Sequence, residues 1–327
     1  MATIRRILVA VKDPASRSQP AVAKAAQIAK SLGAHLELFH AMTRPIYAEL
    51  YIEGEGSSQD LERKAHAQAC KQLEALAARL RGNNANITIA AESDFPAYAA
   101  VIRRAERVKA DLVVAARHAG RHFAPWLLHI NDWELLRSCP VPLLLVKNSG
   151  TYRHPVVLAA VDPTHFEKPP KLDEAILSVG SIIAHTLRGT LHVVHAHPSV
   201  HGGTRSIDPF NRAKAARMNA EFIAAAKAQV GRLLKLTTIP RNRRHLIGKP
   251  PAEAVMDVAR TVSSDIVVMG ALSRIGLKGL FIGNTAEGLL DQLSCDVLIV
   301  KPADFKHRVP RTRRGARVTP LTPLIPG

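Results

Sequence analysis

Cysteine, aromatic residues and long apolar runs are all scarce in this chain of 327 residues. Cys70, Cys139 and Cys295 form no C-x-x-C pair, which excludes a disulfide framework and the common zinc motifs. We therefore predict that the cysteines are small buried hydrophobic residues. No apolar run approaches the ~18 residues of a membrane-spanning helix, and the first residues lack the apolar core of a secretory leader. We expect a cytoplasmic protein without a membrane partner.

Recognisable catalytic motifs are also absent from the sequence. The chain has no G-x-x-x-x-G-K-S/T loop, no G-x-S-x-G turn, and no set of Ser, His and Asp in a context typical of hydrolases. The aromatic content of 4% is too low for a surface that stacks nucleic-acid bases. We therefore expect a binding protein and not an enzyme.

Basic residues exceed acidic ones by a formal charge of +18. Part of this excess lies in residues 305–327, which are rich in proline and contain no acid. The segment shows no hydrophobic periodicity, so we predict a disordered tail that contacts nucleic acid only weakly. Arg241, Arg243 and Arg244 form a second basic group. We interpret them as a solvated surface, because no aromatic residue lies among them.

Short apolar runs alternate with helical patterns along the first half of the chain. This alternation is typical of a doubly wound parallel sheet with helices on both faces. The predicted strands lie at 7–11, 35–41, 86–90, 111–115 and 143–146, and the predicted helices at 21–32, 60–80, 97–107 and 133–137. We therefore predict an α/β, Rossmann-like fold with a five-stranded parallel sheet.

The same succession of elements begins again near residue 156. The run VVLAAVDP at 156–163 repeats ILVAVKDP at 7–14, and residues 265–301 align with residues 111–147 without a gap. The chain is therefore a tandem duplication, since a period of this length indicates domains and not a solenoid. We predict three parts: a first domain at 1–150, a second domain at 151–304 and the tail at 305–327.

The stretch at residues 265–301 carries the strongest ligand signal in the sequence. Its first strand pattern ends at Gly270, a glycine-rich loop follows, and a helical pattern begins at Thr285. Glycines let backbone N–H groups approach an anion, and the helix amino terminus adds the positive end of its dipole. This predicts a phosphate ligand; the alternative is a tight connection that binds nothing. Asp162 likewise either contacts the ligand or ends its strand in an Asx turn.

With DWELLRSCPVP at 132–142 and GNTAEGLLDQLSCDVLIVKP at 283–302, the chain resembles the universal stress protein family, and in particular its tandem E-type members. The resemblance covers about residues 4–147 and 155–302. It implies that the two halves pair through their last strands within one chain, as an intramolecular pseudo-dimer. It also implies a role in resistance to starvation, oxidative stress and DNA damage.

Nucleotide-binding members of this family carry G-x2-G-x9-G-S/T after the fourth strand and an Asp after the first. The second half departs from this pattern at Ser273 and Asn284, which can both donate hydrogen bonds. The resemblance therefore implies a site for ATP or AMP formed by Asp162, Gly270, Ser273, Arg274, Gly283, Asn284 and Thr285.

The first half has lost this motif. Its aligned positions are Ala116, Ala119, His129 and Ile130, although Asp13 keeps the acidic position. We therefore predict that the first half binds no nucleotide and is a scaffold or a pocket for another ligand.

Histidines around the second half's second strand suggest a metal site as an alternative. However, alternate residues of a strand face opposite sides, so His195 and His197 converge while His192 points away. No cysteine or acid lies at metal spacing, so we predict no metal. Two functional alternatives stay open. One is an interaction scaffold that holds an apolar ligand or a partner protein, and the other is nucleic-acid binding through the tail. Association of two chains as a homodimer also stays open.

Overall fold

The computed structural model describes most of the chain. The described residues are 3–42, 58–82, 86–117, 133–164, 169, 171–197, 209–271, 289–307 and 309–311, with the backbone alone at 58–59, 209–215, 219 and 236.

Each half contains five strands in the order expected from the sequence. In the first half the elements are β1 (Arg6–Ala10), α1 (Pro20–Leu32), β2 (His35–Met42), α2 (Ser58–Arg81), β3 (Ile87–Ser93), α3 (Ala97–Arg107), β4 (Leu112–Ala116), a helical segment at 133–138 and β5 (Leu143–Val146). In the second half they are β6 (Val156–Ala160), α4 (Leu172–Thr186), β7 (Thr190–Ala196), α5 (Pro209–Leu233), two 3₁₀ turns (Leu234–Leu236 and Arg241–Arg243), β8 (Arg244–Ile247), α6 (Pro251–Thr261), β9 (Ile266–Gly270), a helical segment at 289–292 and β10 (Asp296–Val300).

All ten strands belong to one sheet, in the order β3-β2-β1-β4-β5-β10-β9-β6-β7-β8. Strands within each half are parallel, whereas β5 and β10 pair antiparallel, with Leu144 opposite Leu298. The halves therefore join through their last strands, which confirms the expectation from the family resemblance. No helix in the described parts of the chain is long and apolar enough to cross a membrane.

Helices cover both faces of this sheet and close two hydrophobic layers. One layer packs α1, α2, α4 and α5 against the sheet, with Ile28 and Ile176 fully buried. The other packs α3, α6 and the two helical segments, with Ile102 and Leu290 at its centre. Both layers continue across the β5–β10 junction, so the two halves share their core.

Two equivalent lysines cross the junction in opposite directions. Lys147, just after β5, donates from Nζ to the carbonyl oxygens of Leu290 and Leu293, at the end of the helical segment before β10. Lys301, just after β10, donates to the carbonyl of Arg137 at 3.1 Å, at the end of the segment before β5. Cations are favourable at helix carboxyl termini, so each half caps a helix of the other.

Burial of Lys301 gives the folded protein an unusual pH dependence. Desolvation lowers the pKa of Lys301 from 10.5 to about 8. Below pH 8 both the folded and unfolded states hold this proton, whereas between about pH 8 and 10.5 the unfolded state holds more of it. The free energy of unfolding should therefore rise with pH in this window, by up to about 1.4 kcal/mol per pH unit from this group.

Denaturation at several pH values, with a Lys301→Met variant as reference, isolates this contribution. Burial also raises the pKa of Cys139 and Cys295 to about 11, and these thiols act in the opposite direction above pH 9. The charge of Lys301 also lowers the pKa of Cys139, so the comparison is made at pH 8 to 9, below the range in which the folded thiols ionise. The stability of the wild type relative to the variant should increase from pH 8 to 9. Parallel curves for the two proteins would contradict the assignment.

The start of the predicted tail differs from the expectation. Residues 305–307 and 309–311 lie against the first half instead of leaving the fold: His307 Nε2 is 2.7 Å from Glu106 Oε1, and Val309 is buried in the α3 layer. Arg103 also donates to the carbonyl of Pro310 at 3.2 Å. A basic, proline-rich sequence gave no sign of this docking, because one buried valine and two hydrogen bonds supply it. Residues 312–327 lie outside the described part of the chain.

Candidate functional site

A crevice at the carboxyl ends of β6 and β9 is the natural ligand position in the second half. These strands are neighbours, with Ala160 opposite Met269, and the chain leaves them toward opposite sides of the sheet. Ligands of open α/β sheets bind at such switch points. Asp162 follows β6 and Gly270 ends β9, so two residues predicted from distant parts of the sequence lie at one place.

The carboxylate of Asp162 is held in position but remains partly open. Its Oδ1 accepts the hydroxyl hydrogen of Thr164 at 2.7 Å, and the backbone N–H of Asp162 donates to Asp173 Oδ1 at 3.0 Å. The side chain is 35% exposed. A carboxylate offers about four lone-pair sites, so Asp162 retains acceptors for hydroxyl or amine groups of a ligand.

His195 lies directly behind Asp162 and was considered from the sequence only as a metal ligand. Its Nδ1 is 3.1 Å from the carbonyl oxygen of Val161 and 3.8 Å from Asp162 Oδ1. A carbonyl can only accept, so Nδ1 carries the hydrogen and Nε2 of the neutral ring is an acceptor. Nε2 is buried and has no donor among the described residues. A buried acceptor without a partner among the described residues therefore lies behind Asp162.

Gly270 has a packing reason that the sequence did not reveal. A Cβ at this position would lie 2.9 Å from Leu172 Cδ2 and 3.2 Å from Ile176 Cδ1. The glycine thus lets the first turn of α4 pack closely on the end of β9. This close approach does not depend on a phosphate, and it supports the tight-connection interpretation for Gly270 itself.

The amino terminus of α4 reaches the same crevice, but its dipole is already matched by acids. Asp173 and Glu174 occupy its first turn, and Asp173 is buried. These carboxylates disfavour a phosphate at this helix terminus. The glycine loop that was predicted to bind the phosphate precedes the helical segment at 289–292 and lies outside the described residues.

Five predicted site residues lie outside the described part of the chain: Ser273, Arg274, Gly283, Asn284 and Thr285. The same holds for Ala119, His129 and Ile130 of the first half, whereas Ala116 ends β4.

The equivalent crevice of the first half differs in its acidic residue. Asp13 Oδ1 accepts the backbone N–H of Ala15 at 2.9 Å, which is an Asx turn. Gln19 closes the same turn by donating to the Asp13 carbonyl at 2.7 Å. His40 repeats His195, with Nδ1 2.8 Å from the carbonyl of Val11. The first half therefore keeps the histidine, and its aspartate accepts a backbone N–H where Asp162 accepts a hydroxyl.

The histidines do not form a metal site in the described residues, where no three His, Cys, Asp or Glu side chains come together. His192 lies on the opposite face of β7 from His195, and its Nδ1 is 3.1 Å from Nε2 of His245 on β8. Burial lowers the pKa of both His192 and His245, so one neutral ring donates to the other. His201 lies outside the described residues.

Sequence reasoning missed a contact from the first half to the helical segment that follows the glycine loop. Arg117, at the end of β4, donates to the carbonyl of Leu290 and pairs with Asp291. Lys147 contacts the same carbonyl. The aligned position in the second half is Ala271, so the duplication itself gave no signal for this contact. The first half thus holds the carboxyl end of the helical segment at 289–292.

Comparison with known proteins agrees with this architecture. The universal stress protein family model matches residues 3–147 and again 155–301. Universal stress protein E of Escherichia coli K12 is 28% identical over 325 residues, covering 94% of this chain and 98% of that protein. The Photorhabdus laumondii protein of the same name is 25% identical over 323 residues, with the same shares of each chain covered.

Solved structures show the same tandem arrangement. A protein of unknown function from Pseudomonas aeruginosa PAO1 matches with a TM-score of 0.68 and 25% identity, covering 92% of this chain and 94% of that one. A universal stress protein from Archaeoglobus fulgidus shares the fold, with a TM-score of 0.56 and 17% identity over 92% and 98% of the chains. The chain therefore belongs to the universal stress protein family, with two domains of that family in tandem, like universal stress protein E.

Proposed function

We propose that this stress-response protein is a cytoplasmic regulatory module that binds ATP or AMP in the crevice of its second half. The observation that carries the proposal is the position of Asp162 at the carboxyl ends of β6 and β9, with its carboxylate partly exposed and His195 Nδ1 3.8 Å behind it. Ribose hydroxyls and the adenine amine are donors suited to this carboxylate.

The predicted phosphate loop supports the same ligand. The glycine-bearing segment begins at the end of β9, so a nucleoside contacted by Asp162 would direct its phosphates toward that loop. Binding would order the loop beside the contacts that Arg117 and Lys147 make with the following helix. A ligand can change partner binding only through such a difference between the free and bound states.

Calorimetric titration with ATP, ADP and AMP tests the proposal with a matched pair of variants. The wild type should bind ATP or AMP, and Asp162→Ala should weaken binding at least about tenfold, since a hydrogen bond to a charged group contributes about 1.5–3 kcal/mol. Asp13→Ala should leave the affinity unchanged, because the first half lacks the glycines of the motif. Gly283→Val should abolish binding if the loop approaches the phosphates.

Two results would contradict the proposal. Absence of binding heat for all three nucleotides, or an equal loss in both aspartate variants, would remove the second-half site. The close packing of Gly270 on Leu172 would then be the reason for that glycine, and the protein would act as an interaction scaffold.

A further inference from the structure

A row of cations lies at the amino-terminal ends of β6, β7 and β8. The crevice described above lies at the opposite, carboxyl ends of the strands. Arg153 precedes β6, Arg188 precedes β7, and three more cations lie in the connection before β8. Four of the five are exposed and one is half-buried. We name this set the basic rim; its members are Arg153, Arg188, Lys235, Arg241 and Arg243.

The turns that present the basic rim are rigid. Thr190 donates its N–H to the carbonyl of Pro155 at 2.9 Å, and His154 Nδ1 is 3.1 Å from the carbonyl of Arg188. These contacts tie the turn before β6 to the turn before β7. Before β8, Arg244 donates to the carbonyl of Ile239 through Nε at 2.9 Å and through a terminal nitrogen at 2.6 Å. Preformed backbone lowers the entropy that a bound partner would have to remove.

The positive charge of the basic rim is not neutralised locally. None of its five cations pairs with a carboxylate in the described parts of the chain. Asp265, which precedes β9 on the same edge, uses its carboxylate to accept the N–H of Val156 at 2.8 Å. Five cations and this one acid leave the edge with a net charge of about +4, in a protein already strongly basic.

The first half shows that the fold does not require these cations. The strand pairings allow β1–β3 to be superposed on β6–β8. In this superposition Thr3, Gly33, Asn86 and Thr88 take the places of Arg153, Arg188, Arg241 and Arg243, in that order. None of these is charged. The fold therefore does not require cations at these four positions, and the same edge of the first half carries the exposed Arg5 and Arg6 at neighbouring positions.

We propose that the basic rim binds the phosphate backbone of double-stranded nucleic acid, without regard to base sequence. Neighbouring strands are about 4.8 Å apart, so the rim spans about 10 Å. A duplex carries about one charge per 1.7 Å of its axis, so several phosphates lie within the span of the rim. Four of the five rim cations are arginines, whose planar fork of donors matches phosphate.

The chemistry of the rim favours a duplex over two other anionic partners. No aromatic residue belongs to it, whereas single strands are held largely by stacking of bases on aromatic rings. An anionic membrane would require apolar anchors beside the cations. The exposed large hydrophobic residues among those described are Leu61, Phe95, Met218 and Phe222, and none belongs to the rim turns.

Fluorescence anisotropy with a short labelled duplex, at salt concentrations from about 50 to 200 mM, tests the proposal. The triple variant Arg188→Gln, Arg241→Gln, Arg243→Gln should lower the slope of log affinity against log salt by about 2–3, since each phosphate contact contributes about 0.9. The matched control is Lys64→Gln, Lys71→Gln, Arg79→Gln, which removes the same charge from exposed positions of α2. It should retain most of the affinity and the slope.

A single Arg241→Gln variant keeps the test valid if the triple variant unfolds, and it should lower the slope by about 0.9. Three results would overturn the proposal. One is an equal loss of duplex affinity in the two triple variants, which would indicate that net charge alone determines binding. The others are tighter binding to the single strand than to the duplex, and preference for vesicles of anionic lipid. The rim variant should keep the nucleotide affinity of the wild type, because the crevice lies at the opposite ends of the strands. Failure of either proposal can therefore be recognised separately.

Discussion

Asp296→Ala should lower the free energy of unfolding by about 3–5 kcal/mol, because it leaves the ammonium of Lys24 buried without its counter-charge. Asp296 opens β10 and is 0% exposed, and Lys24 is 2% exposed on α1 of the other half. The two charges are 2.5 Å apart. Removing one partner of a buried pair is much more costly than replacing both.

Three more donors converge on the same carboxylate. Tyr152 of the linker donates its hydroxyl at 2.6 Å, and the backbone N–H groups of Lys147 and Asn148 donate at 2.8 and 3.2 Å. The Lys24 ammonium also lies 4.6 Å above the Tyr152 ring. Asp296 thus fixes the first half, the linker and the second half at one point, and its loss leaves several buried donors unsatisfied.

Thermal melting or urea denaturation measures the effect, with a decrease in Tm of about 4–8 °C expected. Asp291→Ala is the control, because Asp291 is 60% exposed and an exposed ion pair contributes about 1 kcal/mol or less. Adding Lys24→Met to Asp296→Ala should recover much of the loss, since the uncompensated charge disappears. A decrease below about 1 kcal/mol for Asp296→Ala would refute this account of the junction.

The repeated fold could be predicted because its signals are local. Apolar runs marked the strands, and Gly33 was identified as the end of the first helix; its φ of 64° places it in the left-handed region that glycine adopts readily. Strand β3 extends three residues beyond its predicted end. Glu92 lies in this extension and accepts hydrogen bonds from Arg104 and Arg107. Ion pairs with α3 therefore stabilise the end of the strand, which the local sequence pattern does not predict.

The buried polar contacts could not be predicted, because their partners are distant in sequence and absent from the repeat. Asp296 aligns with Pro142 in the first half, so comparison of the halves gave no reason to expect a buried acid. Strand β8 was also missed: its sequence RHLI is short and mostly polar, and its pairing with β7 defines it. Without that strand, Arg241 and Arg243 could not be placed beside Arg188.

The two halves of the duplication differ in the polar contacts they supply. The first half supplies Lys24, Arg117 and Lys147, cations that reach into the second half and hold its last strand and its helical segment. Both of our proposals fall on the second half, the nucleotide at Asp162 and the duplex on the basic rim. A ligand in the crevice and a partner on the rim would thus bind to opposite edges of one shared sheet.

Gly189→Ala should destabilise the second half by about 3 kcal/mol or more, because overpacking against backbone cannot be relieved by a side-chain rotation. A Cβ at Gly189 would lie 2.0 Å from the carbonyl oxygen of Pro155 and 2.9 Å from its carbon. This carbonyl accepts the N–H of Thr190 at 2.9 Å. It cannot move away without losing the contact that begins the β6–β7 pair.

Urea denaturation should show this loss as a lower midpoint, with Gly231→Ala as the matched control. Gly231 lies in α5 with no atom near its absent Cβ, so alanine there should stabilise the protein by about 0.5–1 kcal/mol. Equal stability of the two variants would show that the turn before β7 can relax. If the turn cannot relax in place, any Gly189 variant that still folds must shift the turn and with it Arg188. Such a variant should also bind duplex nucleic acid more weakly, because the cation moves with the turn that carries it.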